Sequence, residues 1–207
     1  MPADFDPNDH DVFLLRQKWT MIVNRYYFSL PDSRGEEGRV FAFVEQARFK
    51  FKEDIRFYTD ESKQVQVLAI KARQRFDPAA RYDITGSDGE KVGEIQKAFA
   101  KSLLRSTYLL FDRDGNQVCE ATERSLGVAL FRRLVGFVPY VGNYADWLPI
   151  PYHFVFKRGE QLLAENTRRA WKLNDHYTID CRPDVHRTLD RRLVLAAAVA
   201  MDALQAR

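Results

Sequence analysis

Two short segments of the sequence carry positive charges at alternating positions, a spacing that suits the binding of anionic groups. In the first, Arg48, Lys50 and Lys52 alternate with an alanine and two phenylalanines; in the second, an alanine separates Lys71 from Arg73. Because side chains of a β-strand point to opposite faces in turn, a strand in either place puts its cations on one face. The headgroups of anionic lipids are ligands that such a face favours.

The same two segments have a simpler interpretation, as the solvated outer face of a sheet. Glu45, Glu53 and Asp54 stand close by in the sequence and would relieve the repulsion between like charges. The ligand-binding interpretation requires the two strands to lie side by side, which the sequence does not show. Both interpretations stay open at this point.

The segment Asp112–Asn116 places two carboxylates at alternate positions, as a calcium-binding loop does. An EF-hand loop requires glycine at its sixth position and glutamate at its twelfth. Here Gly115 is fourth, and the twelfth residue, Glu123, falls in a predicted strand. We therefore predict a hairpin turn and no metal site.

The sequence contains no recognised catalytic motif. No serine stands in a nucleophile elbow, neither Cys119 nor Cys181 has a local catalytic signature, and the four histidines lack metal-ligand spacing. We therefore expect a protein that is not an enzyme and that uses no cofactor. The two cysteines are predicted to be free thiols of a reducing compartment, with a disulfide between them as the alternative.

The composition limits the class of partner. With 32 Lys and Arg against 29 Asp and Glu, the formal net charge of +3 is too small to indicate nucleic-acid binding. Residues 1–11 hold four aspartates, two prolines and no apolar run, which predicts a disordered acidic tail and no signal peptide. We expect a cytoplasmic monomer without a transmembrane span. Its expected partner is either an anionic membrane surface, to which it would attach peripherally, or another protein.

The remaining chain is predicted to consist of short strands joined by turns. Three segments repeat one pattern, a strand, a glycine-containing turn and a second strand, at 82–95, 108–121 and 153–165. Further strands are predicted at 21–30, 40–51, 54–59, 64–73, 167–172 and 176–181. This makes about twelve strands. An open sheet of that size would expose two edges, whereas closure into a barrel removes them.

The end of the chain is apolar on every side of a helix. Residues 193–201 contain no polar side chain, and a helix of this kind must be buried in protein or lipid. Nine residues cannot cross the ~30 Å core of a bilayer. We therefore predict a mainly β domain over residues 12–207, a closed antiparallel barrel around a buried C-terminal helix at about 185–205. The residues predicted to fill the barrel are Leu193, Val194, Leu195, Val199 and Met201.

Four segments have a characteristic combination of residues, at 82–93, 102–107, 171–177 and 190–204. The first begins Tyr82-Asp83-Ile84-Thr85, and the third begins Trp171-Lys172-Leu173. In these segments the chain resembles the tubby-like superfamily, in particular its LURP-one-related and phospholipid scramblase branch, from about Phe13 onward. The resemblance implies a twelve-stranded barrel threaded by a C-terminal helix. Members of the superfamily are variously phosphoinositide-binding regulators, scramblase-like proteins and plant defence-associated proteins.

The resemblance bears on lipid binding at one place. The tubby lipid site uses a Lys-x-Arg pair on a strand, and Lys71-Ala72-Arg73 has that spelling. The chain departs from the scramblases because it lacks a proline-rich N-terminal segment and a cysteine cluster suited to palmitoylation. Its terminal apolar run is also too short to span a bilayer, so scramblase activity is not carried over from the resemblance.

These observations lead to three functional hypotheses. The first is a binding module of the tubby-like type that docks on anionic lipid headgroups, of phosphoinositide type among others, or on phosphorylated ligands. The second is a scaffold that contacts a protein through residues 131–151 of the apolar segment 126–151, or through a barrel end. The third is an unrecognised hydrolase or a scramblase-like lipid-handling protein. Because the helix would fill the barrel, we expect the function to lie on the outer wall or the loops.

Overall fold

A computed structural model describes residues 5–19, 23–47, 54–73, 81–98, 106–124, 153–169 and 175–205. The described residues form twelve strands, one α-helix and a short 3-10 helix at Pro7–Asp9. The strands are β1 (Val12–Trp19), β2 (Val23–Pro31), β3 (Glu37–Ala47), β4 (Asp54–Tyr58), β5 (Gln66–Ala72), β6 (Arg81–Gly86), β7 (Lys91–Lys97), β8 (Thr107–Asp112), β9 (Gln117–Glu123), β10 (Phe154–Arg158), β11 (Gln161–Arg168) and β12 (Asp175–Asp180), and the helix is α1 (Arg191–Gln205).

The twelve strands form one closed antiparallel barrel. Each strand pairs with its neighbours in sequence, and β1 closes the barrel by pairing with both β2 and β12. Because the strands alternate in direction, the turns at 32–36, 59–65, 87–90, 113–116 and 159–160 lie together at one end of the barrel, here called the turn end. The helix enters at the turn end and runs toward the opposite end, here called the far end.

The predicted fold, a closed barrel around a C-terminal helix, is confirmed. The five residues predicted to fill the barrel, Leu193, Val194, Leu195, Val199 and Met201, are each 1 % exposed or less. They belong to one apolar cluster with inward-facing residues of the wall, such as Phe28, Ile84 and Phe156. Burying an aliphatic side chain of this size contributes about 1.5–3 kcal/mol, so the helix is a large part of the hydrophobic core.

The boundaries of several predicted elements differ from those of the structure. The prediction omits β1, because Arg16, Gln17 and Lys18 interrupt its apolar pattern. The strands predicted at 162–165 and 167–172 are one strand, β11, as far as Arg168. The apolar segment 126–151 lies outside the described residues.

The helix begins at Arg191, six residues later than the predicted start at about 185. Residues 181–190 instead form turns, in which Asp184 accepts hydrogen bonds from the backbone amides of Thr188 and Leu189. Asp190 then accepts a hydrogen bond from the backbone amide of Arg192 at 2.9 Å. An aspartate that accepts such a bond is a preferred N-cap, the residue just before a helix, which explains the later start.

Residues 5–11 also differ from the prediction of a disordered tail. The Phe5 ring stacks on that of Phe41, with centroids 4.3 Å apart. Asp11 accepts hydrogen bonds from Arg187 at 2.9 Å and from Arg191 at 3.2 Å. The negative charge of this segment therefore lies against cations of the turn end. The paired residues are some 180 positions apart in the sequence, so local composition does not reveal the contact.

Arg191, the first residue of α1, is a completely buried charge. Its guanidinium donates to Asp184 Oδ2 at 2.7 Å and to the Leu189 carbonyl oxygen at 3.0 Å, besides its bond to Asp11. Asp184 is 2 % exposed. Burial raises the pKa of Asp184, but the hydrogen bonds from Arg191 and from the two backbone amides outweigh it, so the pKa of this carboxyl is lowered.

One strand residue must be glycine because the helix and the next strand come so close to it. A Cβ atom on Gly93 of β7 would lie 2.4 Å from the carbonyl oxygen of Phe111 and 3.3 Å from Leu193 Cδ1. The nearer atom belongs to the backbone of β8, which cannot move without disturbing the β7–β8 pairing.

We expect Gly93→Ala to lower the free energy of unfolding by about 1–3 kcal/mol, the usual cost of forcing an extra carbon into a packed site. Urea unfolding followed by circular dichroism measures this loss. Gly35→Asn is the matched control, because Gly35 has φ +75° in open space and asparagine tolerates that conformation. A Gly93→Ala protein as stable as the wild type would contradict the close approach.

Asp184→Asn is expected to lower the free energy of unfolding by about 3–5 kcal/mol, because it leaves Arg191 buried without its main counter-charge. Since the folded pKa of Asp184 is lowered, its contribution is complete above the unfolded pKa of ~3.9 and is lost as pH falls through the folded pKa. Unfolding curves from pH 7 to pH 3 should therefore show a smaller acid-dependent loss in the variant. Asp114→Asn, in an exposed turn, is the control and should follow the wild type; an Asp184→Asn curve that also does so would contradict this role.

Candidate functional site

The structure describes two of the five predicted headgroup-binding residues, Lys71 and Arg73. Lys71 is exposed on β5, and Arg73 directly follows that strand, where its backbone amide donates to the Arg81 carbonyl oxygen at 2.9 Å. Arg48, Lys50 and Lys52 lie outside the described residues. The predicted adjacency of the two basic segments is therefore not described, although β4, which begins at Asp54, is the neighbour of β5.

Two cations absent from the sequence prediction join Arg73 around one carboxylate. Glu94 Oε1 lies 2.7 Å from Arg73 Nη2 and 2.5 Å from Lys91 Nζ, and Glu94 Oε2 lies 3.1 Å from Arg81 Nη1. The side chain of Glu94 is 3 % exposed, whereas those of the three cations are 36–40 % exposed. The carboxylate thus sits beneath the cations, and each cation keeps an outward side in solvent.

The register of four strands produces this arrangement. Asp54, Lys71, Asp83 and Glu94 are successive cross-strand partners on β4, β5, β6 and β7. Arg73 also donates two hydrogen bonds to Asp83, at 2.8 and 2.7 Å. We call the outer surface formed by Lys71, Arg73, Arg81, Lys91, Asp83 and Glu94 the basic face. It holds four cations against two carboxylates; Asp54, opposite Lys71 at the edge of this face, is paired with Arg56 at 2.6 Å.

The carboxylate beneath the basic face is held in its charged form. Burial raises the pKa of Glu94, but hydrogen bonds from Lys91 and Arg73 outweigh it, so the pKa is lowered. The hydrogen bonds that Arg73 donates to Asp83 and then to Glu94 raise the pKa of Arg73. Arg81 is further positioned over the ring of Phe111, with the guanidinium carbon 4.7 Å from the ring centroid. These contacts fix the cations before any ligand arrives.

Part of this site could be predicted from the sequence. The strand alternation places Lys71 on an outer face, and the same alternation places Glu94 on the outer face of β7. Only the pairing of Asp83 with Glu94, and of β5 with β6, shows that Arg73 and Glu94 meet. That pairing depends on the turn and bulge geometry of two hairpins, for which local sequence gives no register.

The segment Asp112–Asn116 is the hairpin turn that the sequence predicts. Asp112 Oδ1 accepts hydrogen bonds from the backbone amides of Asp114 at 3.0 Å and Asn116 at 2.8 Å. The side-chain and backbone hydrogen bonds from Asn116 are the main cause of the lowered pKa of Asp112. Gly115 has φ +85°, which explains the glycine at that position.

The two cysteines are free, as predicted, and both are buried. Burial raises the pKa of both thiols to about 12, so neither is a ready nucleophile at neutral pH. Among the described residues, no group of three or more histidine, cysteine or acidic side chains is placed to hold a metal ion. Within the same part of the chain, no helix is long and apolar enough to cross a membrane.

Comparison with known proteins gives one informative match. A model of the LURP-one-related family matches residues 40–202, from within β3 to near the end of α1. No protein with a curated description matches the chain. The family match covers most of the sequence and all of the basic face. The chain therefore belongs to the LURP-one-related family, within the tubby-like superfamily.

Proposed function

We propose that this LURP-one-related protein is a binding module that docks on anionic lipid headgroups through the basic face. The observation that supports the proposal is the convergence of Arg73, Arg81 and Lys91 on the buried Glu94, with Lys71 exposed beside them. Glu94 orders three cations, and together with Asp83 it balances two of the four positive charges of the basic face. The remaining positive charge is directed outward from a rigid sheet.

The donors that remain on the basic face suit phosphate oxygens. Lys71 makes no ion pair with another described residue, so its ammonium group has all three N–H donors available. Arg81 uses Nη1 for Glu94, which leaves the other donors of its planar guanidinium. A headgroup phosphate that bridges Lys71 and Arg81 would receive donors from two neighbouring strands.

The exposure of these cations sets the expected strength of binding. Side chains that are 36–40 % exposed interact through a well-screened medium, and each contributes roughly 1 kcal/mol near an anionic membrane. Such an interaction is weak for one site and weakens as salt is added, because the Debye length shortens. The proposal therefore describes reversible, peripheral attachment.

Lys71→Glu is the sharpest test, because it replaces one attraction by a repulsion at a residue without a structural partner. We expect the affinity for vesicles that mix phosphatidylserine with phosphatidylcholine to fall by roughly 30-fold, equivalent to about 2 kcal/mol. Co-sedimentation at low salt measures the affinity. Circular dichroism checks the fold, because a glutamate opposite Asp54 and Asp83 is expected to lower the melting temperature slightly. Arg34→Glu, in the exposed β2–β3 turn away from the basic face, makes the same change in net charge and should bind nearly as the wild type does.

Two results would overturn the proposal. The first is wild-type protein that does not bind the anionic vesicles at low salt, or that binds pure phosphatidylcholine equally well. The second is equal binding by Lys71→Glu and Arg34→Glu, which would show that only net charge matters. Lys50→Glu extends the test to the first basic segment predicted from the sequence, and a loss like that of Lys71→Glu would include that segment in the binding surface.

A further inference from the structure

The barrel wall has a cleft between β9 and β10, separated from the basic face by β8. Strand β9 spans Gln117–Glu123, but its pairing with β10 ends at Glu120 and Lys157. The unpaired ends of both strands and the start of the β10–β11 turn supply most of the residues that line the cleft, which has a volume of about 200 Å³. Arg158 and Gly159, two of the lining residues, are exposed, so the cleft opens to solvent.

Two β-bulges explain why the pairing ends early. In the β8–β9 pairing, the register shifts so that Val118 has no partner on β8. In the β10–β11 pairing, Leu163 is skipped between the partners of Phe156 and Lys157. A bulge bends its strand, increases the local twist and often terminates pairing beside a binding site. The two hairpins therefore diverge at the level where both bulges lie.

The side chain of Arg158 reaches from β10 to β9 and is held there. Its Nε atom donates to the carbonyl oxygen of Val118 at 2.8 Å, in place of the backbone donor that a paired strand would supply. Arg158 makes no ion pair with another described residue, so the donors on both Nη atoms are available. Because the guanidinium group is planar, the hydrogen bond from Nε also restricts the directions of those donors.

A second cation lies beside Arg158. Lys157 is on the outer face of β10, since it alternates with the buried Phe156. Its ammonium group forms no ion pair with any described residue, although Glu120 is its cross-strand partner. The described residues that line the cleft thus include two cations and one carboxylate, together with the hydroxyl-bearing Thr122. This lining has a net positive charge and favours an anionic occupant.

We propose that this cleft binds the phosphate group of a small soluble molecule, either inorganic phosphate or a phosphate monoester of a few carbon atoms. The planar fork of Arg158 suits two phosphate oxygens, and the ammonium group of Lys157 adds a point charge. A phosphate monoester offers three acceptor oxygens to these donors, whereas a carboxylate offers two. The volume of about 200 Å³ is below the ~300 Å³ at which pockets for drug-sized ligands begin. The cleft shares no residue with the basic face, so this binding is independent of lipid docking.

The test is a titration of the isotope-labelled full chain, followed by two-dimensional NMR at constant pH and ionic strength, with inorganic phosphate, glycerol phosphate or chloride. We expect the backbone amide signals of Val118 and Gly159 to shift with both phosphates and to saturate in the millimolar range, since Arg158 is exposed and salt screens surface charges. The phosphate that saturates at the lower concentration identifies the preferred source of the phosphate group. No saturable shift with either phosphate, or the same shift with chloride, would overturn the proposal.

Substitutions show whether the cleft itself is the site. Arg158→Gln removes the charged fork, and we expect it to weaken phosphate binding about tenfold. Lys157→Gln should also weaken binding and leaves the hydrogen bond of Arg158 in place, so it tests the site even if Arg158→Gln does not fold. Arg113→Gln, in the exposed β8–β9 turn, makes the same change in net charge and should bind phosphate as the wild type does. Equal weakening by Arg113→Gln, or unchanged binding in Lys157→Gln, would overturn the assignment.

The basic face provides a second comparison, which separates a soluble ligand from a lipid headgroup. Lys71→Glu should leave phosphate binding in the cleft nearly unchanged, and Arg158→Gln should weaken vesicle binding no more than Arg113→Gln does. A phosphate response that is lost in Lys71→Glu but kept in Arg158→Gln would place the phosphate on the basic face and overturn the proposal. A loss of vesicle binding in Arg158→Gln, without any response of the wild type to soluble phosphate, would assign the cleft to a lipid headgroup and overturn it as well.

Discussion

The buried ion pair between Arg191 and Asp184 is the interaction on which the arrangement of helix and barrel depends. A helix that is apolar on every face gains the same hydrophobic energy in many rotations and depths, so burial alone does not fix its position. A hydrogen-bonded ion pair is directional. It sets both the depth and the rotation of α1, and so brings Leu193 Cδ1 to 3.3 Å from the position that a Cβ atom on Gly93 would take, beside the closer contact with the Phe111 carbonyl oxygen.

The unfavourable free energy of burying the charge of Arg191 explains why several acceptors surround it. A cation at the first residue of a helix is opposed by the helix dipole, and its burial is unfavourable unless counter-charges and hydrogen bonds offset it. Arg191 therefore has a second carboxylate, Asp11, and a backbone carbonyl, besides Asp184. The basic face shows the same physics with the signs reversed, since there one buried carboxylate, Glu94, is compensated by three partly exposed cations. Inside the barrel the arrangement removes charge from solvent, whereas outside it leaves a net positive charge facing solvent.

Features that depend on residues close together in the sequence could be predicted, whereas contacts between residues far apart in the sequence could not. Strand alternation and glycine turns are local, so most strands and the hairpin at Asp112–Asn116 are predictable, and a short all-apolar helix can only be a core element. Strand β1 is missed because Gln17 occupies an inward position that normally holds an apolar side chain. The reason for that glutamine is its hydrogen bond to Asp202, 185 positions later. Arg16 is an ordinary outward residue, stacked on Tyr27 and paired with Glu37, but beside Gln17 it completes a polar run.

The segment before the family match supplies the contacts that hold both ends of the helix. The match begins at residue 40, and strands β3 to β12 alone would leave two open edges, which β1 and β2 close. At the turn end, Asp11 and Asn8 bond to Arg191; at the far end, Gln17 and Tyr26 bond to Asp202. Because the helix is otherwise apolar as far as Met201, these polar contacts add to the Arg191–Asp184 pair in fixing its two ends. Closure of the barrel and placement of the helix therefore depend on the same first 31 residues, which complete the wall and contact both ends of the helix.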